Sequence, residues 1–299
     1  MSYNYANNCR AHNNNCVECN KKTYTKVNLT MNEKNNTLLI YTLFYFVFLY
    51  VPVLFLPIFS FNDANFMSFP LAGFTTEHYE EMWSKRNLHK ALWASIKVGV
   101  VASVVSTTIA LFAAKAFARY KFRGEKISYG GIMMPFLIPE IILAVAILVI
   151  WVNLGFKLGL VPVTIGHTLF CTPFAMLILI ARIEGFDFSL EEASRDLGEN
   201  AWGTFFRVSF PLYLPGIIAA LLLSFIISFD EFILAFFLTG SDATLPMYMW
   251  GQMRFVQKLP HVLALGAVII VFTTFIVLLA FWLRNVGQGK AKKDIAIKL

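Results

Sequence analysis

Charge is what this sequence has least of. Asp, Glu, Lys and Arg make up 14% of its 299 residues, against 58% hydrophobic, and Phe alone occurs 30 times. That scarcity excludes a soluble domain, because a folded unit of this length has no interior large enough to hide so much apolar surface. It places the chain in the membrane class. Also missing are the motifs of bond-breaking: a G-x-x-x-x-G-K-[ST] phosphate loop, H-E-x-x-H, G-x-S-x-G, and any cluster of His ligands within the apolar runs. The first absence excludes ATP hydrolysis by this chain, and the others argue against a membrane-embedded enzyme. No catalytic residue, metal or bound cofactor is assigned. His167 stands alone in its run and reads as a packed polar residue, and Cys171 reads as a small hydrophobe.

What is present is a series of apolar runs. Six are long enough to cross a hydrocarbon core as helices, which takes about 20 residues each. They are Leu38–Phe59, Ala91–Ala114, Gly130–Trp151, Val161–Ala181, Pro215–Leu238 and His261–Leu283. The net charge of +7 comes from short Lys/Arg clusters between the runs, the footprint of membrane topology and not of a nucleic-acid groove. "KAFARYKFRGEK" alone carries Lys115, Arg119, Lys121, Arg123 and Lys126. These clusters put both termini and the 182–214 loop in the cytoplasm.

Residues 1–36 are polar, Asn-rich and poor in branched apolar residues, so they are expected to be a disordered extension. Cys9, His12, Cys16 and Cys19 offer four zinc-capable ligands, but nothing around them could form a core, and no metal is assigned. Met31, followed by Asn-Glu-Lys, offers an alternative start, on which the residues before it would be an artefact of start-site choice. Residues 37–286 are then the transmembrane domain, with a loop of special interest at 185–211, and 287–299 a basic tail.

That loop, "EEASRDLGENAWGTFFRVSFPLYLPG", is the least membrane-like part of the second half. Ser189-x-x-Glu192 reads as a capping box at a helix start. Leu190, Ala193, Ser194 and Leu197 recur on one face, and Glu191 can pair with Arg195 one turn on. Gly198 suits the left-handed residue past a helix end. Pro211 and Pro215 should reset the chain into the fifth span. A short helix, a glycine turn and a second short helix follow from this. A helix that lies on lipid usually shows a basic face; this one shows Glu191, Glu192, Asp196 and Glu199, which suits docking to a protein.

The loop resembles the EAA loop of ABC importer permeases: E-A-A, three residues, G, nine residues, I-x-L-P. Here it reads Glu192-Ala193-Ser194, three residues, Gly198, nine residues, then Val208-Ser209-Phe210-Pro211. Ser194, Val208 and Phe210 depart conservatively from the pattern. The resemblance runs from about Leu38 to Arg284. Within it lie Ser60-Phe61-Asn62, "GFTTEHY" (Gly73–Tyr79) and "ARYKFRG" (Ala118–Gly124), and it is strongest to the C-type permeases of spermidine/putrescine importers. It implies an all-α, six-span, type I importer permease of the inner membrane. Glu192, Ala193, Ser194, Gly198, Val208 and Pro211 would couple it to a separate ABC ATPase dimer, where ATP binds. A second permease subunit, forming a heterodimer, and a periplasmic binding protein docking on Phe61–Lys90 and Thr239–Pro260 are the other implied partners.

Ionisable residues inside spans are costly and usually functional. Glu140, ~15 Å past Gly130 along a helix, is expected near mid-bilayer, with Pro135 and Pro139 freeing carbonyls beside it. Asp230 and Glu231 lie ~22 Å past Pro215, with Ser224, Ser228 and Glu231 on one stripe. Carboxylates facing a cavity would attract a cation, and Trp250 with neighbouring Phe rings could contact the methylenes and ammonium groups of a polyamine. The substrate-path set is therefore Glu140, Ser228, Asp230, Glu231 and Trp250. The same machine carrying iron, thiamine, sulfate or molybdate is the alternative, with anions disfavoured by the acids. An ion channel would instead be a symmetric homo-oligomer working without ATP.

Overall fold

Small residues decide how this chain packs. In a bilayer the lipid tails are as apolar as leucine, so helices associate where their backbones can approach closely. The helix α3 (Arg86–Arg119) buries Ala91, Ala94, Ser95, Val98, Ala102, Ser106, Ala110 and Ala114 along one face. It leaves Val100, Val101, Val104, Val105, Ile109 and Phe112 exposed on the other. That face receives α6 (Leu160–Ile183) and α9 (Phe210–Asp230), and α6 and α9 also pack on each other. At Gly99 a methyl group would come 3.0 Å from the Phe225 ring of α9, so the α3–α9 contact depends on its absence.

The structure is a computed structural model that describes residues 16–63 and 71–296, with side chains described for 37–63 and 71–282. The chain divides into two units, residues 1–58 and 59–299. Among the described residues, the first unit is helix α1 (Cys16–Ser60) as far as Ile58, with Pro52 and Pro57 inside the helix. The second contains α2 (Glu77–Ser84), α3, α4 (Glu125–Leu137), α5 (Glu140–Asn153), α6, α7 (Ser189–Asp196), α8 (Ala201–Thr204), α9, α10 (Ile233–Leu238), α11 (Leu245–Met253) and α12 (Leu259–Ala296). Among the described residues there is no strand, only an isolated bridge between Asn62 and Phe74. Five helices are long and apolar enough to span a membrane, and the bent pair α4–α5 makes a sixth if taken as one span.

Three expectations change. The head was expected to lack structure, but from Cys16 onward the backbone is helical and runs into the first span. No Gly or Pro lies in residues 1–36 to interrupt it. Cys9 and His12, and the side chains of Cys16, Cys19 and the 287–299 tail, lie outside the described residues. The third span is not continuous: α4 and α5 meet at 104°. The cause is local, because Ile138 precedes Pro139 and is held extended (φ −82°, ψ 135°), which no helix can pass through. Glu140 therefore stands at the first position of a new helix and not mid-helix. The fifth span also breaks, at Glu231, before the short α10. Ser224, Ser228 and Glu231 are thus not one continuous stripe.

Candidate functional site

The loop between α6 and α9 folds into a knob. Helix α7 begins one residue before the expected capping box, with Phe188 as its N-cap and no side-chain cap bond from Ser189. Asp187 supplies the acceptor instead: its Oδ1 takes the Ser189 N–H at 3.0 Å. That bond holds the Asp187 carboxyl below the usual carboxylate range. At the other end Gly198 adopts φ +91°. The Gly198 N–H donates to Arg195 O and the Glu199 N–H to Ser194 O, the paired closure that a left-handed glycine allows. Asn200, unnoticed in the sequence reading, caps α8 by accepting from Gly203 N–H at 2.7 Å.

Pro211 and Pro215 do not separate the knob from the fifth span. Helix runs unbroken from Ala201 to Asp230. Pro211 cannot donate to the preceding turn, and its ring would crowd the carbonyl four residues back. The chain widens into a single π turn, Phe205–Ser209, with Phe210 N–H bonded to Phe205 O. Val208 lies on that turn and Pro211 at the start of α9. The knob is thus rigidly continuous with a transmembrane helix on one side.

The outward face of the knob is partly apolar. Leu197 is 87% exposed, Trp202 67% and Phe206 58%, and Leu190 is also exposed. Glu192 and Ala193 are exposed beside them, and Ser194 is half-buried, its hydroxyl 3.2 Å from that of Thr204 on α8. Exposed aromatics and leucines beside a free carboxylate form a surface that a protein partner could cover. Glu191 departs from expectation. It is fully buried and does not pair with Arg195. It turns inward to Lys115 and Arg119 of α3, to Ser209 of the π turn and to Tyr213 of α9.

The second group of acids lies at the two helix breaks. Glu231 is buried, and its Oε1 accepts the Leu234 N–H at 2.9 Å, which caps α10. Glu140, half-buried at the start of α5, is close enough to Glu231 for their charges to repel. Helix α10, which follows Glu231, packs against α5, which Glu140 begins. Phe232, next to Glu231, meets the Trp250 ring of α11 at 5.5 Å between centroids. Ser228 is buried and bonded to Nδ1 of His167 at 2.8 Å, so His167 is packed and tethered as expected. Asp230 is exposed at the end of α9, on the far side of the break from the α10 cap. The structure therefore unites Trp250 with Phe232 and places Glu140 and Glu231 on two helices that pack together. Ser228 is turned instead to α6.

Comparison with known proteins gives one consistent family. Residues 106–289 match the family described as binding-protein-dependent transport system inner membrane component. The chain is 31% identical over 234 residues to the spermidine/putrescine transport system permease protein PotC of Escherichia coli (strain K12), covering 78% of this chain and 88% of that one. It is 29% identical over 258 residues to the putrescine transport system permease protein PotI of the same organism, covering 84% and 91%. Among solved structures, a bacterial ABC transporter that imports the acidic polysaccharide alginate superposes with a TM-score of 0.60 at 17% identity, over 88% of this chain and 95% of that one. The inward-facing MetNI methionine ABC transporter does so with 0.54 at 18%, over 70% and 97%. At these identities the likeness is one of fold.

Proposed function

Because the chain belongs to the inner membrane components of binding-protein-dependent transport systems, we propose that it is the permease subunit through which an ATP-driven importer moves polyamines. The observation that carries the substrate class is the placement of two acids, Glu140 and Glu231, at the breaks of two broken spans whose helices α5 and α10 pack on each other. Two repelling carboxylates in such a place are satisfied by a cation, and an anion would be repelled. The fold does not choose the substrate, since a neighbour of the same architecture imports an acidic polysaccharide. The carboxylates argue for the cation, and so do relatives named for spermidine and putrescine. Asp230 lies one residue from Glu231, where a cation approaching it would pass, and the Phe232–Trp250 pair offers ring faces to methylenes and ammonium groups.

The 185–211 knob is the seat of a separate ABC ATPase dimer. Glu192, Ala193, Ser194 and Gly198 shape its contact surface, and Val208 and Pro211 shape the turn that joins it to α9. ATP binds on that partner and not on this chain. A second permease subunit completes the pathway as a heterodimer, and a periplasmic binding protein delivers substrate to the loops around Phe61–Lys90 and Thr239–Pro260. Both termini and the knob face the cytoplasm, as the Lys/Arg clusters favour. Transport proceeds by alternating access, with ATPase states favouring inward or outward forms.

The test is uptake of labelled putrescine and spermidine by membranes carrying the full complex, with competition by other cations. Saturable ATP-dependent uptake of either is expected; uptake of neither removes the substrate assignment. Gly198→Asp together with Glu192→Ala should abolish transport and loosen the ATPase. Full transport by that variant would remove the coupling assignment.

A further inference from the structure

The knob has two covalent connections to the membrane bundle. One runs through the short loop from α6, and the other through the unbroken α8–π turn–α9 helix. It has no chain connection to α3, yet α3 is the helix against which both α6 and α9 pack. The Glu191 side chain makes that missing connection. Its Oε1 lies 3.1 Å from Lys115 Nζ, and the same carboxylate is ion-paired with the Arg119 guanidinium. Ser209 donates its hydroxyl to Oε1, and the Tyr213 hydroxyl donates to Oε1 from 3.5 Å.

The cluster is enclosed by rings. Lys115 Nζ stands 4.8 Å from the centroid of Phe205, and the Arg119 guanidinium 5.3 Å from that of Phe188. Phe186 packs edge-on against Tyr213 at 5.2 Å. Glu191 is fully buried, while Lys115 and Arg119 keep 17% and 14% of their side-chain surface. The Glu191 charge is offset by two cations, and two hydroxyls donate to Oε1. Buried ionic groups of this kind serve registry better than they serve net stability, because apolar residues of equal volume often stabilise as well. Four elements, α3, α7, the π turn and α9, are held in one register by it.

We propose that Glu191 is a positioning residue that fastens the knob to α3, so that displacement of the knob by its ATPase partner moves α3, α6 and α9 together. This rests on the coupling reading above and adds a specific route to it. Glu192, in the neighbouring position of the motif, faces outward to the partner; Glu191 faces inward to the bundle. The two adjacent carboxylates divide the work between contact and transmission.

The decisive variant is the triple Lys115→Met, Arg119→Met, Glu191→Met, which removes all three charges at nearly constant volume and leaves none unpaired. In the full complex it should assemble at wild-type yield with unchanged basal ATP hydrolysis. The stimulation of hydrolysis by a spermidine-loaded binding protein should fall about ten-fold. Amide exchange across residues 189–197 in the nucleotide-free complex should rise. Glu191→Gln, compared per mole of assembled complex, should show the same split between basal and stimulated hydrolysis. Wild-type stimulation or unchanged exchange in the triple variant overturns the proposal. The exchange measurement needs no substrate. A wild-type complex that ignores spermidine therefore faults the polyamine reading, while the exchange arm still decides whether the knob is fastened.

Discussion

Glu191 in the knob and Glu231 at the end of α9 are both buried glutamates, and their surroundings are opposite. Glu191 has two cations and two hydroxyl groups. Glu231 has only backbone N–H groups at the start of α10, Leu234's among them, and no cation, while Glu140 adds a like charge. Burial of a charge is costly in both places, but only in the first do the protein's own groups compensate it. A carboxylate offset by cations is a fastener. One without a cation of its own is where the proposed polyamine path would supply one.

The sharpest way to break the comparison is Glu191→Gln. It leaves Lys115 and Arg119 facing a neutral amide and should destabilise the chain by about 3 kcal/mol, the low end for a broken buried pair because both cations keep some contact with solvent. Thermal melting of the purified complex checks this, and the Lys115→Met, Arg119→Met, Glu191→Met triple should recover most of the loss. Glu231→Gln should behave in the reverse sense. Gln keeps an oxygen to cap Leu234 N–H, so melting should change little, while polyamine uptake falls roughly ten-fold, equivalent to ~1.4 kcal/mol of lost attraction. Glu140→Gln should act in the same direction and more weakly, being only half-buried. Equal losses of stability in the Glu191 and Glu231 variants would erase the distinction.

A smaller effect is expected at Gly198, whose φ of +91° penalises any Cβ. Gly198→Ala should cost about 1 kcal/mol, confined to the knob. No atom lies within 4 Å of the added methyl, so strain and not crowding is what the melt would report. The smallest belongs to the opposite end of the bundle. His261 Nε2, 2.7 Å from Glu81 Oε2, holds the exposed Glu81 carboxyl below its usual range, first through the hydrogen bond and then through charge. The contribution of a lowered carboxyl is present above its ordinary value and is lost as pH falls through the lowered one. A slight drop in melting temperature in strong acid, absent in Glu81→Gln, is the expected reading.

Much of this was legible in the chain itself. The apolar runs gave the first, second, fourth and sixth spans to within about five residues, but not the bend of the third or the limits of the fifth, and Gly198 announced its left-handed turn. The break at Pro139 is signalled by Ile138, whose position before a proline disfavours helix and holds it extended. The break at Glu231 had no such mark, because neither Gly nor Pro stands near it and the carboxylate cap on Leu234 forms only once the chain has turned. Glu191 was assigned to Arg195, its neighbour by local spacing. Its true partners lie more than seventy positions earlier, and only the tertiary fold, which brings the knob to the end of α3, selects them. Helical period ranks faces within an element, but it does not tell which of four clustered acids will turn inward.

The widened turn at Phe205–Ser209 is equivalent to one residue threaded into an otherwise regular helix. Everything before it is rotated by about 100° around the axis of α9 relative to an uninterrupted helix. The azimuth at which Trp202 and the exposed leucines are presented is therefore indexed by a single amino acid, and a one-residue deletion there would re-aim the whole protrusion without altering the span to which it is joined.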